Sequence, residues 1–166
     1  MEFVQGVRMG EALAREVKAV AGKLDIALSS HAPYFVNLCS VIPAKEKTSH
    51  RSILQAAQAT VWAGGTITVF HPGYYQKLTP SEAYARAKKN LKEIEEKLTR
   101  QKIKIRLGAE VVGKKSQFGG LQEVIRLAQE LRVWPRLRPP GSSARHGIDD
   151  LWHRLNHLPG GRHAHC

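Results

Sequence analysis

Apolar residues along this chain switch between two repeats. Short β-branched or alternating runs occur at MEFVQGV (1–7), LDIALSS (24–30), TITVF (66–70) and IKIRLG (103–108), the pattern of strands with at least one buried face. Between them, apolar positions recur three and four apart. Met9, Leu13, Val17 and Val20 form one such set, and Ile53, Ala57 and Val61 a second. Ala83, Ala87, Leu91, Ile94 and Leu98 form a third, and Leu121, Val124, Ile125 and Ala128 a fourth. Each set traces one face of a helix.

Local signals support these elements. Thr79-Pro80-Ser81-Glu82 offers a capping side chain, a proline where no amide donor is needed, and an acid that suits the helix dipole. Gly64-Gly65 can release a helix into the next strand. Strands alternating with helices predict right-handed crossovers and a parallel sheet. The fold class expected is therefore α/β, about four βα units, fitting an open doubly wound sheet or part of a (β/α)₈ barrel.

Residues 131–166 break the pattern. The segment is rich in Arg, Pro, Gly and His, holds five of the eight histidines and has no lysine. It predicts no strand, and its best helix candidate is IDDLWHRLNHL (148–158). Residues 1–130 are read as one α/β domain and 131–166 as an irregular or disordered tail. HRLNH and HAH near its end also have the composition of a loose metal-binding tract.

Composition narrows the setting. At 166 residues the chain suits one ordinary domain. No apolar run approaches the roughly 18–20 residues of a membrane span, and the N-terminus lacks the order of a secretory signal. Cys39 and Cys166 alone argue against a disulfide framework, and a cytoplasmic location is expected. A formal charge of +12 favours acidic partners, nucleic-acid phosphate foremost. The mixed run KKNLKEIEEKL (88–98) reads instead as a solvated helix face.

In a parallel α/β array, chemistry gathers where the strands' carboxyl ends open into loops. Three such ends carry strong ligands: His31, His71 and Glu110. Singly, each has an ordinary alternative, His31 as a capped core residue, His71 in a turn, Glu110 paired with Lys114. Together, two neutral imidazoles and a carboxylate with an open fourth position form a catalytic metal arrangement, one that acidifies water and polarises a phosphoryl or carbonyl oxygen.

At these residues the sequence resembles the endonuclease IV family of apurinic/apyrimidinic (AP) endonucleases, in its shorter prokaryotic branch. SHAPYFVNL, VFHPGYY and GAEVVGKKSQFGGLQEV carry the likeness, in this order, across residues 1–130. The resemblance implies a (β/α)₈ barrel with three Zn2+ ions that hydrolyses the DNA backbone 5′ to abasic sites in base excision repair. It implies that His31 and His71 bind one zinc and that the catalytic Glu110 bridges to a second. It places Tyr34 where the family's aromatic enters DNA at the lesion. Asn37 and the loop Lys114-Lys115-Ser116-Gln117 fall where the family approaches DNA. Double-stranded DNA with abasic sites is the implied partner, with no role for a membrane.

The departures matter too. A (β/α)₈ barrel takes about 250 residues, and the first strand and helix of the family have no counterpart here, nor do the ligands beyond residue 131. The expectation is a truncated, weakly active or inactive chain with at most one well-formed zinc site. A reading-frame change, or the end of a gene fragment, would account for the composition of its tail. Open strand edges favour self-association. Two other functions fit the same rim: a sugar isomerase or epimerase of the xylose isomerase-like superfamily, and a non-catalytic fragment that binds nucleic acid.

Overall fold

A computed structural model of the chain describes residues 1–131 and, as backbone, 133–136. The metal tract and helix expected in the tail lie outside the described residues. Elements follow in the order α1 (Glu11–Lys23), β1 (Ser30–His31), α2 (Pro43–Trp62), β2 (Ile67–Phe70), β3 (Gly73–Tyr74), α3 (Pro80–Arg100), β4 (Arg106–Glu110), β5 (Gln117–Phe118), α4 (Leu121–Glu130) and β6 (Val133–Arg136). Strands β1, β2, β4 and β6 form one parallel sheet in that spatial order. The parallel α/β arrangement expected from the two repeats is present, with a helix between successive sheet strands.

Several expected strands are shorter than their apolar runs. Residues 1–7 contribute a single parallel bridge, Glu2 to His31, reinforced by the Phe3 amide donating to the His31 carbonyl at 3.0 Å. Of residues 24–30 only Ser30 joins β1. In contrast, β6 lies where the sequence predicts no strand, paired in register with β4 from Leu107–Val133 to Glu110–Arg136. Pro135 masks it in the sequence. A proline is tolerable there because β6 ends the strand order, and among the described residues one of its edges carries no ladder.

α3 follows its pattern closely. Thr79 accepts from the Glu82 amide while Glu82 accepts from the Thr79 amide, a complete capping box with Pro80 in the first turn. All five residues of its apolar set are buried. α2 ends at Trp62, and Gly64 takes φ +77°, the left-handed exit that glycine adopts without strain. α1 forms as expected, but its buried face is rotated from the expected one. Its buried residues are Ala14 and Ala21, whereas Leu13 and Val20 are 52% and 57% exposed. α1 is in contact with α2, and Val17 of the expected set is half-buried.

The core lies between the sheet and α2, α3 and α4, with Phe70, Phe118, Leu38, Ile53, Leu91 and Ile94 fully enclosed. Cys39 is buried among them with its thiol donating to the Ala83 carbonyl at 3.6 Å. Burial, with a smaller contribution from Glu123, pushes that thiol up to about 12. Among the described residues no helix is long and apolar enough to cross a membrane.

One electrostatic contact has a testable pH signature. Glu130 accepts from Lys88 Nζ at 2.7 Å and from Arg126 Nε at 3.0 Å. The Lys88 bond first, and then Arg126, hold its carboxyl down from an ordinary 4.5 to about 2. A depressed carboxylate stabilises the fold above its unfolded value, and the contribution is lost as pH falls through the folded one. Glu130→Gln is therefore expected to cost on the order of 1 kcal/mol or less near neutrality, the scale of a partly exposed ion pair. The difference from the parent should shrink as pH drops from about 4.5 towards 2. Urea titrations of both proteins across that range check this.

Candidate metal centre

The three strand ends meet. β1, β2 and β4 are parallel neighbours, so their carboxyl ends emerge at one edge with adjacent strands about 4.8 Å apart. His31 closes β1, opposite Val69. His71 follows Phe70 directly, where Pro72 stops the ladder. Glu110 closes β4. One ligand atom from each of His31, His71 and Glu110 lies within 4.8 Å of the others.

Their geometry suits a small cation. His31 Nδ1 donates to the Ala32 carbonyl at 2.7 Å, which in a neutral ring leaves the lone pair on Nε2. That Nε2 lies 2.9 Å from Glu110 Oε2. Two lone pairs at such a distance need a positive centre between them, a proton or a metal ion. His71 Nδ1 is 3.6 Å from the same oxygen. Tetrahedral bonds of about 2.0 Å set ligand atoms about 3.3 Å apart, and the two observed separations bracket that value. The donor set therefore fits a divalent cation of the zinc type. Glu110 is 5% exposed, and a carboxylate this buried is costly unless compensated.

Tyr34 packs against both imidazoles, with ring centroids 5.1 Å from His31 and 5.5 Å from His71. Its hydroxyl donates to the Glu2 carboxylate at 3.3 Å, and the residue remains 36% exposed. Asn37 sits differently from the other residues assigned to DNA by resemblance. It is only 7% exposed, and its Oδ1 accepts from the Cys39 and Tyr74 amides. Lys114, Lys115 and Ser116 are exposed, on the loop that leaves Glu110. Gln117 is half-buried in β5, which pairs antiparallel with β3 just beyond His71. Lys114, Lys115 and Gln117 border a hollow of about 460 Å³ whose other walls include Tyr75 and Leu78.

Supporting residues are not evident from the sequence, because their roles depend on distant partners. Glu123 accepts from the Gly119 and Gly120 amides at 2.9 Å and from the Tyr75 hydroxyl at 2.6 Å, joining the loops after β2 and β4. Asn90 donates to the Leu38 carbonyl at 2.8 Å and accepts from His50 Nε2 at the same distance. Arg86 donates to the Ser40 carbonyl at 2.6 Å. α3 thereby fixes the far end of the His31 loop. The capping-type spacing Gly120-x-x-Glu123 is the one signal that could have marked any of them.

Comparison with known proteins agrees with this architecture. A family model described as a xylose isomerase-like TIM barrel matches residues 1–139. An uncharacterised protein of Methanocaldococcus jannaschii, MJ0133, is 37% identical over 135 residues, which is 81% of this chain and 48% of that protein. Endonuclease IV from Thermus thermophilus superposes with a TM-score of 0.63 at 20% identity, over 79% of this chain and 46% of the other. D-psicose 3-epimerase from Clostridium cellulolyticum H10, solved with D-tagatose, gives 0.64 at 15% identity, over 78% and 48%. The chain thus spans about half the length of each of these relatives.

Proposed function

The chain belongs to the family of xylose isomerase-like TIM barrels, and from that premise we propose that it derives from a zinc-dependent AP endonuclease, an enzyme that hydrolyses the DNA phosphodiester 5′ to an abasic site. The observation that carries the reading is the convergence of His31, His71 and Glu110, within 4.8 Å of one another, beside an exposed lysine loop. Zinc, when bound there, would supply an acidified water and charge neutralisation at phosphorus. His31, His71 and Glu110 would hold it. Tyr34 offers a ring face beside the site, suited to the gap left by a missing base, whose sugar costs little to extrude. Lys114 and Lys115 supply the charge that phosphates seek. Among the described residues His31, His71 and Glu110 form the one such ligand cluster, and the chain is proposed to hold one zinc there and to incise slowly.

A second reading rests on the imidazole–carboxylate contact of 2.9 Å. Such a pair can move a proton beside a carbonyl, the chemistry of a sugar epimerase. The resemblance to epimerase structures reaches the same level as that to the nuclease, and fold does not choose between them.

One comparison decides. The zinc-loaded chain is incubated with a duplex holding a single abasic site, and separately with ketohexoses, each with and without chelator. Chelator-sensitive incision leaving a 3′-hydroxyl is the expected result. Epimer exchange without incision would move the assignment to the sugar enzymes. Duplex binding alone would leave a nucleic-acid-binding protein without catalysis.

A further inference from the structure

We infer that Asn37 is a positioning residue, the clasp that keeps the His31 and His71 loops at the spacing a shared metal ion needs. This rests on the metal reading above. Asn37 Oδ1 accepts two backbone amides, Cys39 at 3.0 Å in its own loop and Tyr74 at 3.1 Å in β3, just after His71. One oxygen thus joins the segments that carry the two imidazoles. A parallel cross-link, the Leu38 amide donating to the Pro72 carbonyl at 2.9 Å, stands beside it.

The clasp is itself anchored. The Asn37 amide donates to Ser49 Oγ at 3.0 Å, and Ser49 Oγ donates onward to the Lys45 carbonyl at 2.9 Å, seating the residue on α2. Gly73 shows how closely the loops approach. It takes φ +149°, and a Cβ built there would run into Asn37 Oδ1. Glycine is required at that position by both conformation and space.

An acceptor is what the site demands, since buried amides without one are strongly disfavoured. Asn37→Ala removes it, whereas Asn37→Asp retains oxygens at the same place. His31 and His71 ring centroids are 4.9 Å apart, close enough for a nuclear Overhauser contact between their ring protons in metal-free protein. That contact is expected in the parent and in Asn37→Asp, and absent in Asn37→Ala with an unchanged helical circular dichroism spectrum. Zinc affinity is expected to fall about 10–100-fold in Asn37→Ala, the usual cost of losing support behind a ligand, and to recover in Asn37→Asp.

Survival of both the ring contact and the zinc affinity in Asn37→Ala overturns the assignment. A parent that shows the ring contact, loses it in Asn37→Ala and binds no zinc would remove the metal reading and leave the clasp standing. If Asn37→Ala does not fold, hydrogen exchange in the parent decides. Matched protection of the Cys39 and Tyr74 amides is expected from a shared acceptor, and one fast with one slow amide overturns it.

Discussion

Glu110→Ala is expected to lower zinc affinity by well over about 100-fold. Losing a residue that merely supports a metal ligand costs about 10–100-fold, and Glu110 is the residue both imidazoles face, at 2.9 and 3.6 Å. It is also the only negative charge in the cluster, so its removal leaves two neutral rings to hold a divalent ion. His31→Ala and His71→Ala are expected to behave alike, whereas Glu16→Ala, on the exposed side of α1, should change nothing. Competition with a chromophoric chelator measures all four. The parent is expected to take up at most one zinc per chain. Two or three tightly held equivalents would contradict the single-site reading.

Phe70→Ala is expected to cost about 3–5 kcal/mol, the range for deleting a buried aromatic ring. Phe70 is fully enclosed and stands opposite Ala109 in the β2–β4 register, so no larger neighbour across the ladder is there to fill the void. Ordinary domains have only about 5–15 kcal/mol in total, and the substitution should leave a substantial unfolded population at room temperature. Phe70→Leu, which keeps more of the volume, should cost clearly less. Urea midpoints at constant slope give the comparison. Because His71 follows Phe70 directly, zinc affinity should fall along with stability.

The candidate site was more legible than the fold that holds it. His31, His71 and Glu110 could be found because each closes an apolar run, and in a parallel sheet such ends share one edge. The existence of α3 and its inward face were both readable, since a capped start and a regular repeat agreed. For α1 the repeat announced a helix and misdirected its orientation. Leu13, Val17 and Val20 look like a core stripe, yet Ala14 and Ala21 are the buried residues, Val17 is half-buried, and Leu13 and Val20 are exposed. β6 was hidden by Pro135, whose cost depends on β6 being the last strand of the sheet among the described residues, a fact of topology. Asn90 and Arg86 could not be assigned from the chain alone, Glu123 carried only its capping-type spacing, and Asn37 only a resemblance that pointed to DNA. Each acts on backbone groups whose proximity exists only after folding.

The enclosure of Cys39 gives the protein a built-in clock. Thiolate is the reactive form of cysteine, and a thiol pushed up to about 12 and sealed against α3 yields almost none at neutral pH. Alkylating reagents can reach it only during moments when its loop lifts away. With Cys166 replaced, the labelling rate would count those excursions directly, and it would do so two residues from Asn37, without any probe having to be introduced.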